Sequence, residues 1–141
     1  MKLRVFIDTN IFIYAFEYPE SNSAKVINLL NKAEIEAIIS EQVVNEVIKY
    51  FERYHNLELA RYFRRYMLEA CILVRRDSVL DIMKEYENQI KDKDLEQLAA
   101  VKRLGVKYLL AYDRDFEKFE EYVTPKEFIK IMKMKTAESD Y

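Results

Sequence analysis

Carboxylates at the ends of apolar runs are the residues in this sequence best placed to do chemistry. Asp8 directly follows Leu3-Arg4-Val5-Phe6-Ile7, and Asp113 and Asp115 follow Leu109-Leu110-Ala111. Asp92 and Asp94 stand just ahead of Leu95 and Leu98, and Glu46 lies within Val43-Val44-Asn45-Glu46-Val47. Taken singly, each acid has an ordinary use. An Asp after a strand makes a turn, and an Asp in the first turn of a helix complements the dipole or caps the end. Brought together they would repel one another, and such a cluster requires a cation, protons or strong hydrogen-bond donors. Hard divalent ions such as Mg²⁺ and Mn²⁺ take oxygen ligands, so an all-carboxylate site points to them. Ions of that kind serve phosphoryl chemistry by neutralising charge and lowering the pKa of an attacking water, with a second ion able to stabilise the leaving oxygen.

Other chemistries are poorly supplied. His55 and Cys71 are each the only residue of their type, which leaves no typical zinc site and no intrachain disulfide. A single glycine rules against Gly-rich phosphate loops and dinucleotide fingerprints. Asn10 stands where a DxD phosphatase would need its second acid, and a receiver-like domain would need a Lys after a terminal strand that is absent here. Basic residues concentrate in the middle of the chain. Arg53, Arg61, Arg64 and Arg65, followed by Arg75 and Arg76, are interleaved with Tyr54, Tyr62, Phe63 and Tyr66. Any one of them reads as part of a solvated helix face. As a group they suit a single-stranded nucleic acid, with cations on phosphates and exposed rings on bases. The net charge of -2 balances 23 basic against 25 acidic side chains, so only a local patch decides for or against a nucleic-acid partner.

The acids need a scaffold that carries them to one edge. Residues 3–7 read as a buried strand, residues 37–39 as a second, 71–74 as a third and 106–111 as a fourth, with a last short strand starting near Val123. Helical spacing marks residues 11–16, Val26 to Ala33, Val43 to Phe51 behind a Ser40 cap, Leu57 to Ala70, Val79 to Tyr86, Leu95 to Val101, and about Lys126 to Met134. Gly105 suits the left-handed position that closes the sixth of these. Strands alternating with helices predict an α/β fold, a three-layer α/β/α sandwich around a mainly parallel sheet of about five strands. Ligands in such sheets bind outside the carboxyl ends of the strands, where the order reverses. By helical-wheel arithmetic Glu46 points away from its apolar stripe, toward either solvent or that cleft.

The 141 residues suit one domain over residues 1–135, with residues 136–141 a tail expected to fray. No apolar stretch approaches the ~20 residues that span a bilayer, and no secretory signal is visible, so a cytoplasmic location is expected.

Ile7-Asp8-Thr9-Asn10, Glu46 in its helix, Asp94 followed by Leu98-Ala99-Ala100, and Leu110-Ala111-Tyr112-Asp113-Arg114-Asp115-Phe116 occur in that order. Together they resemble the PIN-domain nucleases, the family that includes VapC-type toxins, over nearly the whole chain. The resemblance implies a parallel sheet covered on both faces and metal-dependent endoribonuclease activity with Mg²⁺ or Mn²⁺. Residue by residue it implies Asp8, Glu46, Asp94 and Asp113 as the acidic quartet, with Asp8, Asp94, Asp113 and Asp115 on the metal. Thr9 and Asn10 would hold Asp8 or a water at the metal. Asp94 is preferred over Asp92 because the Leu98-Ala99-Ala100 spacing fits better from it. Ala111 departs from the family's usual Thr or Ser two residues before the fourth acid and removes a hydroxyl. RNA, an antitoxin protein and a second copy of the chain are the partners the resemblance implies. A catalytically inactive RNA- or protein-binding module is the alternative.

Overall fold

The computed structural model describes residues 2–141. Its centre is a five-stranded, all-parallel sheet in the order β3-β2-β1-β4-β5. The strands are β1 (Leu3–Ile7), β2 (Ile35–Ser40), β3 (Cys71–Val74), β4 (Tyr108–Leu110) and β5 (Tyr122–Val123). Val5, Phe6 and Ile7 are each 0% exposed. That is the signature of a central parallel strand covered on both faces, where β-branched and aromatic side chains pack on either side of the pleat. The chain pairs β1 first with β2, Val5 opposite Ala37 and Phe6 opposite Ile38. It later returns to the other side of β1, placing Ile7 opposite Leu110. The order therefore reverses between β1 and β4, and Asp8 and Asp113 come off the tops of those two strands.

Among the described residues seven helices cover the sheet: α1 (Thr9–Glu17), α2 (Asn22–Asn31), α3 (Glu41–Tyr54), α4 (Leu57–Ala70), α5 (Leu80–Tyr86), α6 (Asp92–Leu104) and α7 (Pro125–Ile131). Short polar caps start several of them. Asp8 accepts from the Thr9 N–H, Ser21 from Ala24, Ser40 from Val43 and Asn56 from Leu59. Gly105 closes α6 at φ 59°, the left-handed position its lack of a Cβ allows. Phe51 stacks on Phe63 with ring centroids 4.1 Å apart, which ties α3 to α4. No helix among the described residues is long and apolar enough to cross a membrane.

One helix end is corrected. The last helix ends at Ile131, short of Met134, because Lys133 turns to φ 58°. Residues 137–141, expected to fray, lie against α1 and α2 in this structure. Asn22 is 0% exposed, donates to the carbonyls of Ala137 (3.3 Å) and Ser139 (3.1 Å), and accepts from the Ala137 N–H (2.8 Å). The Tyr141 ring packs 4.4 Å from Tyr14 and stacks on Tyr18. A buried amide must find partners, and the chain end supplies them.

Candidate active site

Four segments of the scaffold deliver the acids, with Asp113 and Asp115 sharing one turn. Asp8 prolongs β1, its N–H donating to the Leu110 carbonyl at 3.0 Å, and its Oδ1 accepts from the Thr9 N–H at 2.9 Å to cap α1. Asp113 follows β4 and accepts the Asp115 N–H at 2.9 Å, forming the 3₁₀ turn Arg114–Phe116 that presents Asp115. Asp94 sits in the first turn of α6 and is 5% exposed. One carboxylate oxygen from each of Asp94, Asp113 and Asp115 falls within 4.8 Å of the others. Asp94 Oδ2 is buried without a hydrogen-bond partner among the described residues. Glu46, on an exposed turn of α3, is drawn in by the Thr9 hydroxyl, which donates to its Oε1 at 2.8 Å.

The electrostatics follow from that crowding. Burial raises the Asp8 carboxyl from 3.8 to about 7, against the Thr9 N–H, and the charges of Glu46, Asp94 and Asp113 add to the rise. Asp94 goes up to about 6, first through burial and then through the charge of Asp113. Asp113 moves the other way. Burial alone would raise it, but Lys93 Nζ, 2.8 Å from Oδ2, and the Asp115 N–H hold it below its ordinary value. Lys91 Nζ likewise lies 3.2 Å from Asp115 Oδ2. The acidic crevice thus carries more negative charge than its own donors neutralise, and an unpartnered buried oxygen faces its neighbours. The donor set is wholly oxygen. His55 is elsewhere, bonded to Glu17 at 2.6 Å, so these residues fit a hard divalent cation.

A profile of the PIN domain matches residues 5–122, which spans all the acids named above. The chain belongs to the PIN-domain family. Its fold is similar to that of a toxin–antitoxin complex component from Klebsiella pneumoniae (TM-score 0.63, 20% identity, 86% of this chain and 97% of that one). It is also similar to VapC20 of Mycobacterium tuberculosis, a toxin that cleaves the sarcin–ricin loop (TM-score 0.63, 15% identity, 81% and 93%). A third similar structure is VapBC-1 of nontypeable Haemophilus influenzae (TM-score 0.60, 18% identity, 87% and 98%). No match is found among curated proteins.

Within this PIN domain the sequence-predicted residues fall unevenly. Asp94, Asp113 and Asp115 form the tight group, with Asp8 beside it and coupled to it by charge rather than one of the three. Asp92 is exposed while Asp94 is buried. The Thr9 hydroxyl holds Glu46, not Asp8; only its backbone N–H serves Asp8, and Asn10 is exposed alongside. Ala111 is fully buried, and Tyr112 after it bonds the Ser23 hydroxyl, so polar anchoring here comes one residue nearer to Asp113. Arg53, Arg61, Arg64 and Arg65 are exposed on α3 and α4, and none forms an ion pair among the described residues. Sequence reasoning missed Lys91 and Lys93. The alternation Lys91-Asp92-Lys93-Asp94 held the signal, since a cation beside each acid is what a partly neutralised cluster needs.

Proposed function

We propose that this PIN-domain chain is an endoribonuclease that hydrolyses RNA phosphodiester bonds with Mg²⁺ or Mn²⁺. The observation that carries the reading is the convergence of Asp94, Asp113 and Asp115 within 4.8 Å, with a buried, unpartnered Asp94 oxygen, beside Asp8 and Glu46. Asp94, Asp113, Asp115 and Asp8 would hold the cation. Once bound, it supplies neutralisation of the phosphoryl oxygens and a lowered pKa for the attacking water. The chain's own residues do the rest. Glu46, fixed through Oε1 by Thr9, keeps Oε2 free to orient that water and take its proton. Lys91 and Lys93 hold Asp115 and Asp113 in place at the rim.

The reading extends to a toxin role with an antitoxin protein as partner, because a solved structure with this fold is a toxin–antitoxin complex; a homodimer as the working unit is carried by the family resemblance alone. An apolar groove of about 270 Å³ between α1, α2 and α4, lined by Phe12, Phe16, Ile27, Tyr62, Phe63 and Tyr66, gives a protein partner a face to bury. The test is incubation of the protein with structured and unstructured RNA in Mn²⁺, Mg²⁺ and EDTA, alongside Asp8→Asn. Cutting in the ions alone, lost in the variant, is the expected result. Binding without cutting under every condition would replace the enzyme with a PIN-like binding module.

A further inference from the structure

One buried carboxylate beside the site is not used by the acidic cluster. Glu96, two residues after Asp94 on α6, is 2% exposed. Its Oε1 accepts from Arg76 Nη1 at 2.8 Å and its Oε2 from the Gln42 N–H at 3.0 Å. Taking a carboxylate out of water costs several kcal/mol unless its oxygens are satisfied, and these two bonds satisfy both. They also fix a geometry. Gln42 lies in the first turn of α3, the helix that carries Glu46 one turn further on. Arg76 is thereby pinned, through α6, to the flank of Glu46.

Between these groups lies a pocket of about 430 Å³ whose lining includes Asn45, Glu46, Lys49, Arg76 and Glu96. It shares Glu46 with the acidic site, so a strand lying across the metal ligands can continue into it. The Arg76 side chain is 55% exposed, and its Nε and Nη2 make no hydrogen bond among the described residues. Lys49 is exposed and unpaired among the described residues. Glu41, at the edge, is already engaged by the Arg76 N–H and lies near the Arg75 guanidinium. The pocket therefore presents a guanidinium edge held at its far side, one ammonium and the amides of Gln42 and Asn45, beside the carboxylates of Glu41 and Glu46. A guanidinium fixed by a carboxylate has lost most of its rotamer freedom before any ligand arrives, and its remaining donors match phosphate oxygens.

We propose that this pocket binds the phosphodiester of the nucleotide adjoining the scissile bond, with Arg76 and Lys49 as its ligands and Glu96 as the residue that positions Arg76. The assignment rests on the ribonuclease reading. It also moves the main RNA contact away from the arginines of α4, none of which lines the pocket. Because the carboxylates of Glu41, Glu46 and Glu96 outnumber the two cations, the phosphate is held by directed hydrogen bonds and not by net field, and the effect of losing Arg76 is modest.

The test uses the full chain and a single-stranded RNA oligonucleotide. Binding is followed by fluorescence anisotropy in EDTA across a salt series, and cleavage by kcat and KM in Mn²⁺. Arg76→Ala should weaken binding about five- to tenfold and flatten the salt dependence by about one ion. It should raise KM by the same factor and leave kcat within about twofold. Arg76→Lys should restore part of the loss, and Glu96→Gln should move KM in the same direction as Arg76→Ala. Where either of the anchored residues proves needed for folding, Lys49→Ala reads the same pocket from an unpaired surface position. Wild-type protein that binds and cuts RNA while Arg76→Ala and Lys49→Ala match it in affinity and salt slope would overturn the pocket. Wild-type protein that binds but never cuts would overturn the ribonuclease reading, the pocket then being judged on the binding data. Absence of RNA binding in EDTA would overturn the pocket, and absence of both binding and cleavage in Mn²⁺ would overturn the ribonuclease reading with it.

Discussion

Replacing Asp94 by Asn should stabilise the metal-free protein at neutral pH, although Asp94 is buried at the centre of the site. Its carboxyl is raised from 3.8 to about 6 by burial and by Asp113. A raised carboxyl is one that the folded chain holds protonated while the unfolded chain releases the proton. Stability is therefore fullest below about pH 4 and falls as pH rises toward 6, after which the penalty is constant. At about 1.4 kcal/mol per tenfold in proton affinity, that penalty is about 3 kcal/mol, with the opposing charge of Lys93 already included. Asparagine copies the protonated acid, carries no charge, and can donate to Asp113. Denaturant unfolding in EDTA should show Asp94→Asn already about 1.5 kcal/mol more stable than wild type at pH 5, where the unfolded carboxyl is mostly ionised. At pH 8 the variant should be about 3 kcal/mol more stable. Mn²⁺ at a thousandfold its Kd should reverse the order, since that adds about 4.1 kcal/mol to the wild type alone. A variant less stable than wild type at pH 8 in EDTA, or a difference that does not change between pH 5 and pH 8, would refute the reasoning.

Three further outcomes are expected. Thr9→Val keeps the shape of the side chain but removes the donor to Glu46 Oε1, and should lower kcat for RNA cleavage about tenfold with thermal stability nearly unchanged. Asn22→Ala strips the partners that dock the chain end. It should cost about 2 kcal/mol and open residues 137–141 to limited proteolysis, followed by mass spectrometry. Gly105→Ala places a Cβ where nothing lies within 4 Å, so the cost is purely that of φ 59°, about 1 kcal/mol by chemical denaturation.

The strands and helices were legible because their apolar positions repeat cleanly and short polar residues cap them. Ser40 ahead of α3 and Gly105 behind α6 are places where one side chain sets an end. Asp8 and Asp113 were legible for a topological reason. Both follow strands, and a parallel sheet whose order reverses between β1 and β4 puts both strand tops on one crevice. Glu46 was half legible. The wheel turned it away from the core, but only the Thr9 hydroxyl, 37 residues earlier in the chain, decides that it faces the site. Glu96 and Gln97 were not legible at all. Charged and amide residues usually mark a solvated face, whereas the run Asp94 to Val101 is buried throughout, with α3, α5 and β2 packed around it. Asn22 was hidden for a similar reason. It reads as a loop residue, and its partners lie about 115 positions away.

The claim on which the rest depends is that the Asp94, Asp113 and Asp115 carboxylates, with Asp8, bind a divalent cation. Calorimetric titration of the metal-free protein with Mn²⁺ at pH 6.5, in two buffers of different ionisation enthalpy, tests it without any RNA. Saturable binding is predicted, with a heat that differs between the buffers, because the raised Asp8 and Asp94 carboxyls must release protons as the ion binds. Asp94→Asn should lose that binding and the proton release together. A wild-type protein that takes up no Mn²⁺, or an Asp94→Asn variant that binds it equally well, would contradict the account.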